Sequence, residues 1–181
     1  MVGIAPEVWF PIITLGVGAG ITALSQKISD TRQLTREREA RREQRRETIS
    51  LRRVEFQRAT LLELQERLLD LGRMVTRAQL EDFRALETSG KWRLGKLSEE
   101  VNEGCRLAQA SVTRLLERVR DDQVRALASS FSEICVSVTL ARSKADSDSY
   151  YNKMLHTSGE LNARLGVVLR SLDDDEDHII K

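Results

Sequence analysis

The chain has 181 residues, enough for one ordinary domain or for an anchor followed by a smaller one. Its 29 basic and 28 acidic residues leave a net charge of +1, which excludes a global field drawing it to nucleic acid. Both prolines (Pro6, Pro11) fall in the first dozen residues, and two cysteines exclude a disulfide framework. A mostly helical protein, all-α in class, is therefore expected.

Residues 1–26 read as an N-terminal transmembrane anchor. No charged side chain occurs between Glu7 and Lys27. As a helix that run covers roughly 28 Å, enough for a hydrocarbon layer if it stands upright. A helix also satisfies its own backbone polar groups, as lipid requires. Downstream, residues 27–58 hold eleven Lys or Arg, whereas upstream the sequence offers only Glu7. Basic residues beside a span stay on the cytoplasmic side, so a short outer N-terminus and a cytoplasmic body are expected. The alternative is an exported bundle released by signal peptidase before Gln26. It lacks the basic n-region such a signal carries. Gly16 and Gly20, four apart, form a candidate face for packing two membrane helices.

Residues 27–48 read as a charged helical stalk. From Arg36 to Glu47 only Ala40 and Gln44 are uncharged, so no apolar stripe exists to join a core. Pairs Glu37–Arg41, Glu39–Arg42 and Glu43–Arg46 have helical spacing, each worth a few tenths of a kcal/mol. Lys27, Arg32, Arg36 and Arg38 are the residues placed to meet anionic lipid headgroups. Glutamates interleave the arginines and no aromatic lies between Phe10 and Phe56 to stack a base, so no nucleic-acid partner is expected.

Residues 49–172 read as a helical bundle. Val54, Leu61, Leu68 and Val75 are spaced by seven, with Leu64, Leu71 and Ala78 as a companion row. Leu62 and Leu69 are read as widening this stripe. Thr88-Ser89-Gly90 supplies a helix stop, and residues 91–95 the turn. Val101, Cys105, Ala108, Val112, Leu115 and Val119 make a second stripe. It changes phase near Arg120-Asp121-Asp122 and resumes with Val124, Leu127, Phe131, Cys135 and Val138. With no Gly or Pro to force a break, 96–142 is read as one irregular helix. A turn at 120–123 is the rival. Residues 143–149 read as a turn. The last stripe is Tyr151, Leu155, Leu161, Leu165, Val168, Leu169 and Leu172, with Gly159 and Gly166 available for close packing. An antiparallel three-helix bundle follows, or four helices if 120–123 turns. Residues 173–181 open with five consecutive acids and are expected to be a frayed, disordered tail.

No catalytic, cofactor or metal site emerges. His156 and His178 stand in no zinc or di-iron spacing. Cys105 and Cys135 occupy apolar stripe positions, where thiols act as small hydrophobes. No glycine-rich phosphate loop occurs. The expectation is a single-pass, non-catalytic scaffold, with membrane lipid and either a protein partner or a second copy as its contacts. No small-molecule substrate is implied. An accessory protein acting by oligomerising its spans is the alternative.

Overall fold

The computed structural model describes the backbone of residues 9–92 and 97–180, and the side chains of 33–92 and 97–179. It contains four helices: α1 (Trp9–Ser89), α2 (Glu99–Leu116), α3 (Asp122–Thr139) and α4 (Lys144–Ile180). The chain divides into two compact units, with the boundary between Ile49 and Ser50.

In the first unit, residues 33–49 of α1 are exposed throughout. Only Glu37–Arg41 of the three expected stalk pairs lies within ion-pair distance, at 3.8 Å. Among the described residues no helix is long and apolar enough to cross a membrane. The run 8–27, on which the anchor reading depends, lies outside the described side chains, as do Gly16, Gly20, Lys27 and Arg32.

The second unit is an α-helical bundle. From residue 50 to 89, α1 buries both of its seven-spaced rows, Val54, Leu61, Leu68, Val75 and Leu64, Leu71, Ala78. Its stop lies where the turn residues predict it. Gly90 adopts φ +73° and its N–H returns to the Leu86 carbonyl at 2.8 Å, a left-handed cap that a Cβ would strain. Antiparallel α2 then runs back along α1. Ser98, its N-cap, gives both its N–H (2.9 Å) and its hydroxyl (2.7 Å) to the Glu81 carboxylate. At the far end the Gln57 side chain meets the backbone of Arg118. Gln109 to Ser132 joins α2 to antiparallel α3, and Arg164 to Asp121 joins α4 to the start of α3. Finally α4 lies antiparallel to α1 through Gln79–Ser147, Thr76–Tyr151 and Gln65–Asn162. The order is up, down, up, down around one apolar core.

The expected single helix over 96–142 is thus corrected to two helices, and the three-helix bundle to four. Two i+3 hydrogen bonds, Arg118 N–H to Leu115 O (2.9 Å) and Val119 N–H to Leu116 O (3.2 Å), tighten the end of α2. Asp121 then caps α3 by accepting the Val124 N–H at 2.8 Å. Its carboxylate is held in turn by the Arg164 guanidinium at 2.5 and 3.2 Å. Gln57 of α1 donates to the Arg118 carbonyl and accepts the Arg120 N–H, both at 3.0 Å. Arg125 adds a bond to the Val119 carbonyl at 2.6 Å. No glycine is needed, because Gln57 of α1, the capping Asp121 and Arg125 of α3 satisfy backbone groups that the reversal exposes, while Arg164 of α4 fixes the Asp121 carboxylate.

Further differences have equally local causes. Residues 144–149 are the first turns of α4 rather than a loop. Ser143 accepts the Asp146 N–H and gives its hydroxyl to the Asp146 carboxylate, a reciprocal cap. Ser147, fully buried, receives Gln79. The acidic run 173–177 continues α4, where Arg58 of α1 binds Asp173 (2.7 Å) and Glu176 (2.5 Å) and offsets the repulsion between acids. Sequence periodicity places Leu62, Leu69 and Leu155 in the core stripes, yet they are 51%, 49% and 54% exposed. Met154 takes the place given to Leu155. Nothing lies within 4 Å of a Cβ built on Gly159, so that glycine permits no close packing inside the bundle. The predicted turn 91–95 is described only at Lys91 and Trp92, and residues 93–96 lie outside the described residues.

Replacing Gln57 by Ala is expected to lower the unfolding free energy by about 2 kcal/mol, through two lost bonds to the turn backbone. Urea titration followed by circular dichroism measures it. The Arg164 guanidinium, and secondarily the Val124 N–H, hold the Asp121 carboxyl below its ordinary range despite partial burial. A depressed folded pKa stabilises above the unfolded value, about 3.9, and that contribution vanishes as pH falls through the folded one. The stability gap between the wild-type chain and Asp121→Asn should therefore be widest near neutrality and shrink progressively below about pH 4.

Candidate functional site

Among the described residues, three clefts bring chemically capable side chains together. The first is a thiol cleft between α2 and α3, facing α1. Cys105 and Cys135 both line it, with Arg106, Gln109 and Asn102 at its edge and Leu71 and Val75 at its base. The Gln109–Ser132 bond sets the two helices at matching levels here, which is why cysteines thirty positions apart meet. Burial pushes the Cys135 thiol up to about 12, and its neighbour Cys105 adds to the shift. Burial, then the nearby Glu81 carboxylate, also raises Cys105. Nucleophilic chemistry needs a thiolate, and these surroundings favour the protonated form of both sulfurs. Neither histidine lines the cleft. Their positions on α4 are exposed, and His156 faces Glu160 at 3.5 Å.

The second is the end of the bundle where α1, the α2–α3 turn and α4 converge. A cleft of about 340 Å³ has Val54, Leu61, Val168 and Leu172 as its floor and Arg53, Arg120 and Asp175 at its rim. Charges of both signs sit there, and its best-placed carboxylate, Asp121, is already committed to Arg164. The third is a shallow trough between α2 and α3 lined by Thr113, Glu117, Asp122, Arg125, Ser129 and Glu133. Arg125 is engaged by Asp122 and by the Val119 carbonyl.

Elsewhere the interior is saturated. Among the described residues every buried side-chain nitrogen or oxygen has a hydrogen-bond partner, and no cluster of three His, Cys, Asp or Glu can hold a metal ion. At the opposite end, the Trp92 indole N–H donates to the Ala141 carbonyl (3.0 Å) and Phe83 packs edge-on against its ring. The Lys144 ammonium lies 5.0 Å over Phe83. That corner ties the connection after α1 to the α3–α4 turn. It is structural.

Of the residues predicted from sequence to have a role, only Arg36 and Arg38 have described side chains, and both are exposed. Neither is among the residues lining the three clefts described above. The thiol pairing was not legible in the sequence. Both cysteines fall at apolar positions, but only the reversal at 117–121 aligns them. Compared with protein-family models, curated proteins and solved structures, the chain matches none.

Alkylation of the native protein at pH 7.5 should modify Cys105 slowly and spare Cys135, with both reacting at similar rates in urea. Intact-mass and peptide mapping over time read this directly. Equal native reactivity would contradict the burial that raises Cys135.

Proposed function

We propose that the chain is a membrane-anchored helical interaction module: its amino-terminal run anchors it by a single pass, and its bundle is presented on the cytoplasmic side to a protein partner. The observation that carries the interaction reading is a surplus of apolar surface. The core is already filled by α1, α2, α3 and α4, yet Leu62, Leu69, Leu80, Leu107, Leu140 and Leu155 remain about half exposed or more. Single exposed leucines are ordinary, whereas several along one helix face suit a contact with another protein. The anchor reading is supported by the uncharged residues 8–26 followed by the basic run 27–58. In this reading the bundle performs no bond chemistry. Burial favours the protonated form of both thiols, and Asp121, Arg125 and Arg164 are engaged at the α2–α3 turn.

Localisation and connection are then the mechanism. The anchor holds the bundle close to one surface, and the charged run 27–48, which has no apolar face of its own, remains solvated. Anionic lipid would add about 1 kcal/mol for each basic residue near the headgroups, including Lys27, Arg32, Arg36 and Arg38.

The chain is expected to stay in the membrane pellet after alkaline carbonate extraction, and its bundle to resist protease added outside intact cells. Crosslinking in intact membranes should then capture a discrete adduct through the bundle. Release by carbonate, or digestion from outside, would overturn the anchor and its orientation separately from the interaction module.

A further inference from the structure

Opposite its buried face, the bundle part of α1 carries a second stripe. Counting 100° per residue, the apolar members of this stripe lie about 160° from the mean direction of the buried rows. They are Ala59, Leu62, Leu69 and Leu80, all exposed. Steps of three and four connect them through Glu55, Glu66, Arg73, Arg77 and Arg84, also exposed, with the Arg77 guanidinium bound to Glu100 of its own chain at 2.9 Å. Such spacing keeps one seam facing a partner helix along its length.

The charges on this stripe are ordered. Acids occupy its amino-terminal half and bases its carboxy-terminal half, with Arg52 and Glu87 reversing the pattern at the two ends. Arg52 and Glu87, Glu55 and Arg84, and Glu66 and Arg73 are each placed symmetrically about the point between Leu69 and Asp70. Ala59 and Leu80 are related by the same point. Arg52, Glu55, Glu66 and Glu87 make no ion pair within the described chain, while Arg73 reaches only its helical neighbour Asp70 at 3.3 Å.

From this arrangement we infer that the outer face of α1, residues 52–87, is a self-association seam that binds a second copy of the chain antiparallel. A two-fold axis at residues 69–70 places Glu66 opposite Arg73 of the other copy and Glu55 opposite Arg84, each contact occurring twice. Leu69 meets its symmetry mate near the axis, Ala59 faces Leu80, and Leu62 packs on the aliphatic stem of Arg77. An in-register parallel pair would instead set every charge on the stripe against its like. The inference names the partner of the interaction module proposed above and rests on that reading for its biological setting. Its geometry uses the bundle alone.

The test is sedimentation of the full-length chain in mild detergent over a range of concentrations. The wild-type chain should dimerise. Glu66→Arg and Arg73→Glu should each weaken the dimer about tenfold or more, because each reversal spoils two symmetric contacts. The double variant should return to within about threefold of wild type, since it exchanges the two charges across the axis. Both sites are exposed, and circular dichroism with thermal melting checks that each variant keeps its fold. A monomeric wild-type chain overturns the seam, as do single variants that dimerise normally or a double variant as weak as the singles. Association lost on Gly16→Ile with Gly20→Ile, yet unmoved by the charge reversals, assigns the contact to the amino-terminal run and also overturns the seam. If the wild-type chain is monomeric while crosslinking captures a different protein, the seam fails and the module reading survives.

Discussion

The bundle depends on a chain reversal made without glycine or proline. Between Leu116 and Asp122 the backbone leaves one helix and enters another, exposing donors and acceptors that lie against the apolar core. The reversal is held because Gln57 closes a two-bond bridge to it from α1 while Arg164 locks the capping carboxylate of Asp121 from α4. Three elements distant in sequence therefore share one turn. Val119 within it and Val124 just after it are both fully buried, so the turn also seals the core at that end.

That arrangement governs what chemistry the interior can do. At the α2–α3 turn, Gln57, Asp121 and Arg125 are committed to backbone groups and Arg164 to the Asp121 carboxylate. Gln79 with Ser147, and Thr76 with Tyr151, extend the same economy along the α1–α4 contact. The two thiols meet only because α2 and α3 are antiparallel, and they meet where burial keeps their protons on. The three clefts described are gaps between helices, and Asp121, Arg125 and Ser132 at their margins are already engaged.

The outside of the bundle carries the opposite character. Arg58 draws the acidic end of α4 onto α1, so five consecutive acids extend a helix instead of fraying. On the far side of α1, leucines and charges follow a seam spacing and stay exposed, with Arg77 alone among the described side chains of that seam reaching another helix, at Glu100. One helix thus shows two faces of related periodicity: one buried by its own chain, the other open to a partner.

By itself the sequence determined that the described chain is helical, where α1 stops, and which face of α1 forms the core. Those features follow from local rules: the absence of proline after Pro11, the left-handed preference of Gly90, and the seven-residue spacing of Val54, Leu61, Leu68 and Val75. The phase change near Asp121 was also legible. Tertiary structure decided what it meant, since nothing local distinguishes an irregular helix from a turn when the groups that stabilise the turn, Gln57 and Arg164, come from other helices. It likewise decided the fate of Leu62, Leu69 and Leu155. A stripe of apolar residues gives direction around a helix, but its width depends on how many neighbours pack there. Four helices leave these three leucines outside, and the approach of Cys105 to Cys135 followed from the same reversal.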